Sequence, residues 1–196
     1  DELLKRADLA MYQAKAAGRN TQRFFDPDMQ AAVNARSNLE ADLRQGLVRG
    51  ELCVHYQPVV DHHARLIGVE ALVRWRHPER GMVSPGDFIP LAEQTGLILP
   101  LGQFVLQTAC EQLQRWSGHD ATRNLSIAVN VSARQFRQPG FVGGVLQTLA
   151  NCGANPTKLK LELTESLLLG DIEDTIARMG QLKREELRER KSPVAL

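Results

Sequence analysis

After residue 50, stretches with the pattern of β-strands alternate along the chain with stretches that have the pattern of α-helices. The strand-like segments are residues 52–60, 66–75, 125–132 and 158–164, and the helix-like segments are residues 85–94, 101–116, 141–150 and 171–190. A strand that is followed by a helix usually returns to a parallel neighbour, because a parallel connection needs a long crossover. The pattern therefore predicts an α/β fold with a mainly parallel sheet or barrel.

Three of these strands have one apolar face and one face that carries a polar side chain. Successive side chains on a strand point to opposite sides, and this places Glu70, Asn130 and Glu162 opposite branched apolar residues. If helices cover the apolar faces, the three polar side chains line the other side together. Two carboxylates and an amide oxygen are the hard ligands that Mg²⁺ or Mn²⁺ prefers. Glu162 also lies toward the carboxyl end of its strand, where α/β barrels place their active sites.

A second interpretation of the same alternation stays open at this stage. An antiparallel sheet with one face in water shows the same pattern, and its polar face needs no metal. Further along the strand face of Glu70 lies Arg74, which would either bind a phosphate or pair with a carboxylate on that face. Gln57 is an isolated glutamine on its strand and indicates little by itself.

Composition excludes several classes of partner and compartment. The formal net charge is +1, from 24 basic and 23 acidic residues, so no bulk charge attracts a nucleic-acid polymer or an anionic membrane. The three cysteines are odd in number and far apart, which argues against a disulfide framework or a zinc site. The chain lacks an apolar run of membrane-spanning length and a signal peptide, so we expect a cytoplasmic protein, although a longer parent chain could be membrane-anchored.

The first fifty residues have a different pattern from the rest. Residues 1–18 read as a helix, residues 22–25 as a short strand, and residues 29–49 as a polar helix that stops at Gly50. One helix and one short strand cannot form a core, so residues 1–26 are expected to be the end of a larger domain. Residues 29–49 would form either a rigid connector or the first packed helix of the next domain.

Five sequence blocks in the second part of the chain closely resemble the EAL domain family. The blocks are YQPVV at 56–60, GVEALVRWRHP at 68–78, PGDFIPLAE at 85–93, VNVS at 129–132 and ELTES at 162–166. They occur in the family's order with sensible spacing, and the resemblance covers about residues 52–180. Near the start of the chain, ADLAMYQAKAAGRN at 7–20 is similar to the closing helix of a GGDEF domain, although the GGDEF motif itself is absent.

The two resemblances predict four segments along a bacterial GGDEF/EAL tandem chain. These are a GGDEF remnant at residues 1–26, a helical linker at 27–50, the first part of an EAL domain at 51–183 and a divergent charged tail at 184–196. The GGDEF motif's absence rules out cyclase activity for this chain.

The resemblance to the EAL family implies a barrel of TIM type that hydrolyses one phosphodiester bond of cyclic di-GMP with two Mg²⁺ or Mn²⁺ ions. It assigns roles to seven residues by position. The metal ligands are Glu70, Asn130 and Glu162, the substrate contacts are Gln57, Leu72 and Arg74, and the residue that steadies a catalytic loop is Glu165.

The family's later catalytic blocks, beginning with an Asp-Asp-Phe-Gly segment, do not occur in this sequence, which continues with the charged stretch 184–193. A full barrel has ~250 residues, so the resemblance predicts an incomplete barrel with unpaired strand edges. Such a chain is expected to be catalytically incomplete and prone to self-association, including as a homodimer. The alternative is a non-catalytic module that binds cyclic di-GMP or another protein.

Overall fold

The computed structural model describes residues 26–163 and five isolated positions outside that range. The isolated positions are Leu4, Ala7, Met11, Lys15 and Gly180. Apart from these positions, the elements predicted for residues 1–25 and 171–190, and the tail at 184–196, lie outside the described residues. The chain divides into two compact units, Asp1–Gln45 and Gly46–Leu196.

Helix α1 runs Pro27–Arg49, which confirms the helix predicted for residues 29–49. Proline suits the first position of a helix because its missing N–H would have no partner there, and Asp28 adds a negative charge in the first turn. The helix ends at Gly50, whose φ of 73° is the left-handed conformation that glycine adopts without strain.

Five strands form one sheet in the second unit, and helices connect the strands that run in parallel. The strands are β1 (Leu52–Val60), β2 (Leu66–His77), β3 (Gly81–Val83), β4 (Ser126–Val131) and β5 (Leu159–Leu163). The helices are α2 (Pro85–Thr95), α3 (Ile98–Ser117), α4 (Ala133–Phe136) and α5 (Phe141–Cys152), and a 3₁₀ turn at Pro156–Lys158 precedes β5. The short elements β3 and α4 were not predicted from the sequence.

The sheet is parallel where helices connect its strands and antiparallel where a short loop does. Its order is β1-β2-β4-β5, and β3 also pairs with β2. The pairs β2–β4 and β4–β5 are parallel, which confirms the predicted arrangement for the strands that carry the candidate metal ligands. Strands β1 and β3 are antiparallel to β2, because the loops that join them are too short for a crossover.

Asp61 organises the turn between β1 and β2. Its Oδ1 accepts hydrogen bonds from the backbone N–H groups of His63 at 2.8 Å and Arg65 at 3.0 Å. The Arg65 guanidinium donates to the other carboxylate oxygen at 2.9 Å. These donors lower the pKa of Asp61, because they favour its charged form, and the backbone N–H of Arg65 makes the largest contribution. The Asp61 carboxylate therefore stabilises the turn of the hairpin by accepting hydrogen bonds from the residues that follow it.

The hydrophobic core lies between the apolar face of the sheet and the helices α3 and α5. The strands contribute Val69, Ala71, Ile127 and Val129, and the helices contribute Val105, Leu106, Ala109, Cys110, Leu113, Val145 and Leu149. The buried positions of α3 recur at intervals of three and four residues, so one stripe of this helix faces the sheet. Among these, burial raises the pKa of the Cys110 thiol to about 12, which agrees with its role as a small apolar side chain.

Within residues 26–163, no individual helix combines the length and apolar composition needed to cross a bilayer. The consecutive helices α2 and α3 satisfy that test only when they are taken together, and the chain bends by 119° between them.

Gly68 allows β2 and β4 to approach each other closely. A Cβ atom on Gly68 would lie 2.5 Å from both the backbone oxygen and the Oγ of Ser126. We expect Gly68→Ala to lower the free energy of unfolding by about 1–3 kcal/mol, because one of the two strands must move. Urea denaturation measures this change.

The matched control is the same substitution at Gly143, in α5, where an added Cβ meets no atom within 4 Å. Alanine there should raise stability by up to about 1 kcal/mol through its higher helix propensity. If Gly68→Ala were as stable as the wild-type chain, this would contradict the close approach of β2 and β4 at Gly68.

Tyr56 carries a buried hydroxyl that has no hydrogen-bond partner among the described residues. Its ring packs on Trp116 with ring centroids 5.9 Å apart, and burial raises the pKa of the phenol. We expect Tyr56→Phe to raise the free energy of unfolding by about 1 kcal/mol, because an unsatisfied buried hydroxyl is costly.

Thr148 provides the matched control for Tyr56, since its buried hydroxyl is satisfied. It donates to the Gly144 carbonyl at 2.8 Å and accepts from Gln103 Nε2 at 3.1 Å. Thr148→Val should therefore lower the free energy of unfolding by about 1 kcal/mol. A loss of stability in Tyr56→Phe of similar size would show that the tyrosine hydroxyl does have a partner.

Candidate functional site

The side of the sheet opposite the core is the polar face, and it carries six of the seven residues that the family resemblance assigns to the site. Its members are Gln57, Glu70, Leu72, Arg74, Asn130, Lys160 and Glu162. Strand alternation places them on one side, since each is an even number of residues from its neighbours along its strand and cross-strand partners share a face. The seventh predicted residue, Glu165, lies outside the described residues.

Glu70 and Asn130 are in direct contact on this face. The Asn130 Nδ2 donates a hydrogen bond to Glu70 Oε1 at 2.6 Å, although the two residues are sixty positions apart in the sequence. Glu70 pairs in register with Ala128, two residues before Asn130 on β4, so the contact is diagonal between neighbouring parallel strands. The short side chain of Ala128 leaves the space through which the longer side chains meet.

Glu162 lies beside Asn130 on the other neighbouring strand. The two residues are register partners in the parallel pair β4–β5, and both side chains are exposed. Cross-strand partners in a sheet are ~4.8 Å apart, so the amide and the carboxylate project side by side. Glu70, Asn130 and Glu162 therefore lie on three neighbouring strands and on the same face of the sheet.

The predicted substrate contacts lie on β1 and β2 around Glu70. Gln57 is its direct antiparallel partner and is exposed, whereas Leu72 and Arg74 follow it at intervals of two and are half-buried. Arg74 Nη1 donates to the carbonyl of Val73 at 2.8 Å. Among the described residues Arg74 forms no ion pair, so the carboxylate pairing considered from the sequence is not observed.

A capping box fixes the turn that follows Asn130. The Ser132 side chain accepts from the backbone N–H of Gln135 at 3.3 Å, and Gln135 Oε1 accepts from the backbone N–H of Ser132 at 3.1 Å. Gln135 was not predicted as a site-supporting residue, although serine followed three residues later by glutamine is a capping-box signature. The box therefore holds the carboxyl end of β4 in place, next to the candidate ligand Asn130.

The donor set at the centre of the polar face fits a hard divalent cation. Glu70 and Glu162 have carboxylate oxygens, and Asn130 has an amide that donates through Nδ2 to Glu70 and whose Oδ1 accepts no hydrogen bond from a described residue. Within the described part of the chain, no three histidine, cysteine or acidic side chains come together. The candidate set therefore consists of two carboxylates and one amide, which matches the oxygen ligands of Mg²⁺ and Mn²⁺.

Parallel strands with helices on their apolar side and acidic side chains on the other are typical of proteins of the (β/α)-barrel class. A model of the EAL domain matches residues 40–188. The chain belongs to the EAL domain family. This confirms the resemblance found in the sequence, and the five described strands correspond to part of the barrel.

Two named relatives are similar in sequence to most of this chain. The chain is 45% identical over 184 residues to the bifunctional diguanylate cyclase/cyclic di-GMP phosphodiesterase MucR of Pseudomonas aeruginosa, and this region is 92% of the chain and 26% of MucR. It is 39% identical over 167 residues to the cyclic di-GMP phosphodiesterase PdeR of Escherichia coli, covering 85% of the chain and 25% of PdeR. The chain thus spans about a quarter of the length of these relatives.

A solved structure supports the same assignment of fold. The structure of the MucR phosphodiesterase from Pseudomonas aeruginosa in complex with c-di-GMP matches with a TM-score of 0.70 at 44% sequence identity. The match covers 75% of this chain and 60% of that structure. The prediction of an α/β, TIM-type fold is therefore confirmed.

Proposed function

We propose that this chain binds cyclic di-GMP on the polar face and takes part in the hydrolysis of one of its phosphodiester bonds. The observation that carries the proposal is the contact between Asn130 and Glu70, with Glu162 beside it, on strands that pair in parallel. This arrangement occurs in a chain whose relatives MucR and PdeR are named cyclic di-GMP phosphodiesterases.

Glu70, Asn130 and Glu162 would hold a divalent cation, which we propose to be Mg²⁺ or Mn²⁺. When bound, such an ion activates water and neutralises charge that develops on a phosphoryl group. The two carboxylates repel a phosphate as long as no cation lies between them. The three residues therefore act by concentrating negative charge where the cation is needed and by fixing its ligands on adjacent strands.

Arg74, Leu72 and Gln57 would orient the dinucleotide around that centre. One Arg74 nitrogen donates to the Val73 carbonyl, and the other guanidinium N–H groups, which bond to no described residue, would donate to a phosphate oxygen. Leu72 offers a half-buried apolar contact. The amide of Gln57 is exposed and has both a donor and an acceptor for the edge of a guanine. Glu165 would steady the catalytic loop, as the family resemblance suggests.

The organisation of the longer protein is part of the same proposal. Residues 1–26 would be the end of a GGDEF domain, residues 27–50 a helical linker, residues 51–183 the first part of the EAL domain and residues 184–196 a divergent tail. A cytoplasmic location and a homodimer suit a signalling protein of this kind. Size-exclusion chromatography with light scattering tests the homodimer.

A second candidate is a module that binds cyclic di-GMP without hydrolysing it. The observation that favours it is the exposure of the polar face, where Gln57, Asn130 and Glu162 are all open to solvent. An enzyme usually excludes water from the groups that react, whereas a binding surface has no such need.

One experiment tests both candidates. The purified 196-residue chain is titrated calorimetrically with cyclic di-GMP in the presence of Mn²⁺, and the same mixture is analysed by chromatography for the linear dinucleotide. Binding with product supports the phosphodiesterase, whereas binding without product supports either the binding module or the catalytically incomplete chain that the sequence predicts. If cyclic di-GMP bound no better than GMP, which lacks the cyclic dinucleotide's second phosphate, both candidates would be excluded.

A further inference from the structure

Lys160 lies on the polar face in one cross-strand row with Glu70. The register pairs Glu70 with Ala128 in β4, and Ala128 with Lys160 in β5. Neighbouring strands are ~4.8 Å apart, so the Cα atoms of Glu70 and Lys160 are about 10 Å apart with only a methyl group between their side chains. Lys160 also precedes Glu162 by two residues on the same strand face. The ammonium group is thus within reach of the space in front of the candidate ligands.

The charge of Lys160 is not neutralised within residues 26–163. The side chain is exposed, and it forms neither an ion pair nor a hydrogen bond with any described residue, although two carboxylates share its face. Lys158, two positions earlier, behaves differently, because its Nζ donates to the carbonyl of Asn124 at 3.1 Å. Lys158 is therefore committed to the protein itself, whereas Lys160 keeps its charge available for a ligand.

Like Arg76, two residues further along β2, Arg74 is a cation on the polar face that forms no ion pair with any described residue. It lies on β2, four residues beyond Glu70, whereas Lys160 lies two strands away on β5. The two cations thus flank the carboxylates from different strands. Cyclic di-GMP has two phosphodiester groups, each with one negative charge, and a single arginine contacts only one of them.

We propose that Lys160 binds the phosphodiester group of cyclic di-GMP that Arg74 does not contact, an inference that rests on the proposed function. Lys160 is a substrate-binding residue in this role. Its positive charge attracts the anionic dinucleotide and repels a divalent cation held by the neighbouring carboxylates. Removing the charge should therefore have opposite effects on the two ligands.

The test compares Lys160→Met with the matched control Lys158→Met and with the conservative variant Lys160→Arg in the full 196-residue chain. Calorimetry measures the affinity for cyclic di-GMP at two or more salt concentrations, and a separate titration measures the affinity for Mn²⁺ alone. Lys160→Met should bind cyclic di-GMP about tenfold more weakly, with a shallower salt dependence, because one charge-assisted contact is lost. It should bind Mn²⁺ about two- to threefold more tightly.

Lys160→Arg should keep the wild-type affinity for the dinucleotide to within about threefold, since it keeps the charge. Lys158→Met should change neither affinity. If Lys160→Met bound both ligands more weakly, or bound cyclic di-GMP as well as the wild-type chain does, Lys160 would have no role in binding the phosphate. If the wild-type chain itself bound no cyclic di-GMP, the proposed function would be wrong and this inference with it.

Discussion

Glu70→Ala is expected to lower the affinity of the chain for Mn²⁺ by more than ~100-fold. The substitution removes one of two carboxylate ligands, and even residues that only support a ligand are worth 10–100-fold in metal affinity. It also removes the acceptor that orients Asn130, since the amide donates to Glu70 Oε1 at 2.6 Å. The affinity is measured from the loss of the electron paramagnetic resonance signal of free Mn²⁺ on titration with protein.

A second substitution separates the charge of Glu70 from its contact with Asn130. Glu70→Gln keeps an oxygen acceptor for the Asn130 amide, so the side-chain contact between the two strands should persist. The free energy of unfolding should then change by less than ~1 kcal/mol. Its Mn²⁺ affinity should nevertheless fall nearly as far as that of Glu70→Ala, because the neutral amide is a weaker ligand for a hard cation.

The control for both variants is Glu79→Gln, an exposed glutamate beyond the end of β2. Its Mn²⁺ affinity should equal that of the wild-type chain. Retention of wild-type affinity by Glu70→Ala would show that the cation binds elsewhere, and the polar face would then be an ordinary solvated surface. This is the wet-face interpretation that strand alternation alone leaves open.

Trp75→Ala is expected to destabilise the chain by about 3–5 kcal/mol, the range for truncation of a large buried aromatic side chain. Trp75 is fully buried near the end of β2. Its ring makes edge contacts with Phe88 and His77, with centroids 5.7 Å and 5.4 Å apart. Its Nε1 donates to Glu51 Oε2 at 3.1 Å. Alanine would leave a cavity between β2 and α2 and an unpaired carboxylate.

Urea denaturation at neutral pH measures the loss, and Trp75→Phe serves as the matched comparison. Phenylalanine keeps an aromatic ring in the cluster but loses the N–H donor and some volume, so we expect it to cost about 1–2 kcal/mol. A loss below ~1 kcal/mol for Trp75→Ala would contradict the burial of this residue.

The regular elements of the second unit were largely predictable because their patterns are local. Strand β1 has the predicted bounds, and helix α2 begins at Pro85 as predicted, with Ser84 as its N-cap. Helix α3 begins three residues earlier than predicted, at Ile98, and β2 continues two residues further, to His77. These differences arise at element ends, where the apolar periodicity fades and neighbouring strands or caps decide the boundary.

Two short elements could not be predicted because their stability is not local. Strand β3 has three residues and exists only through its pairing with the end of β2. Helix α4 is a single turn, and a single turn is unstable alone. Its capping box and the buried ring of Phe136 hold it in place after β4. Contacts with the rest of the fold therefore create both elements.

The sequence by itself determined which side of each strand is apolar, because side chains alternate with a period of two wherever the chain is extended. That rule was enough to place Glu70, Asn130 and Glu162 on polar faces. Only the tertiary structure decided the register between strands, since partners 58 positions apart in β2 and β4, and 32 positions apart in β4 and β5, are aligned by backbone hydrogen bonds and core packing. It joins Asn130 to Glu70, and it places Lys160 in line with that carboxylate, a relation that no local pattern encodes.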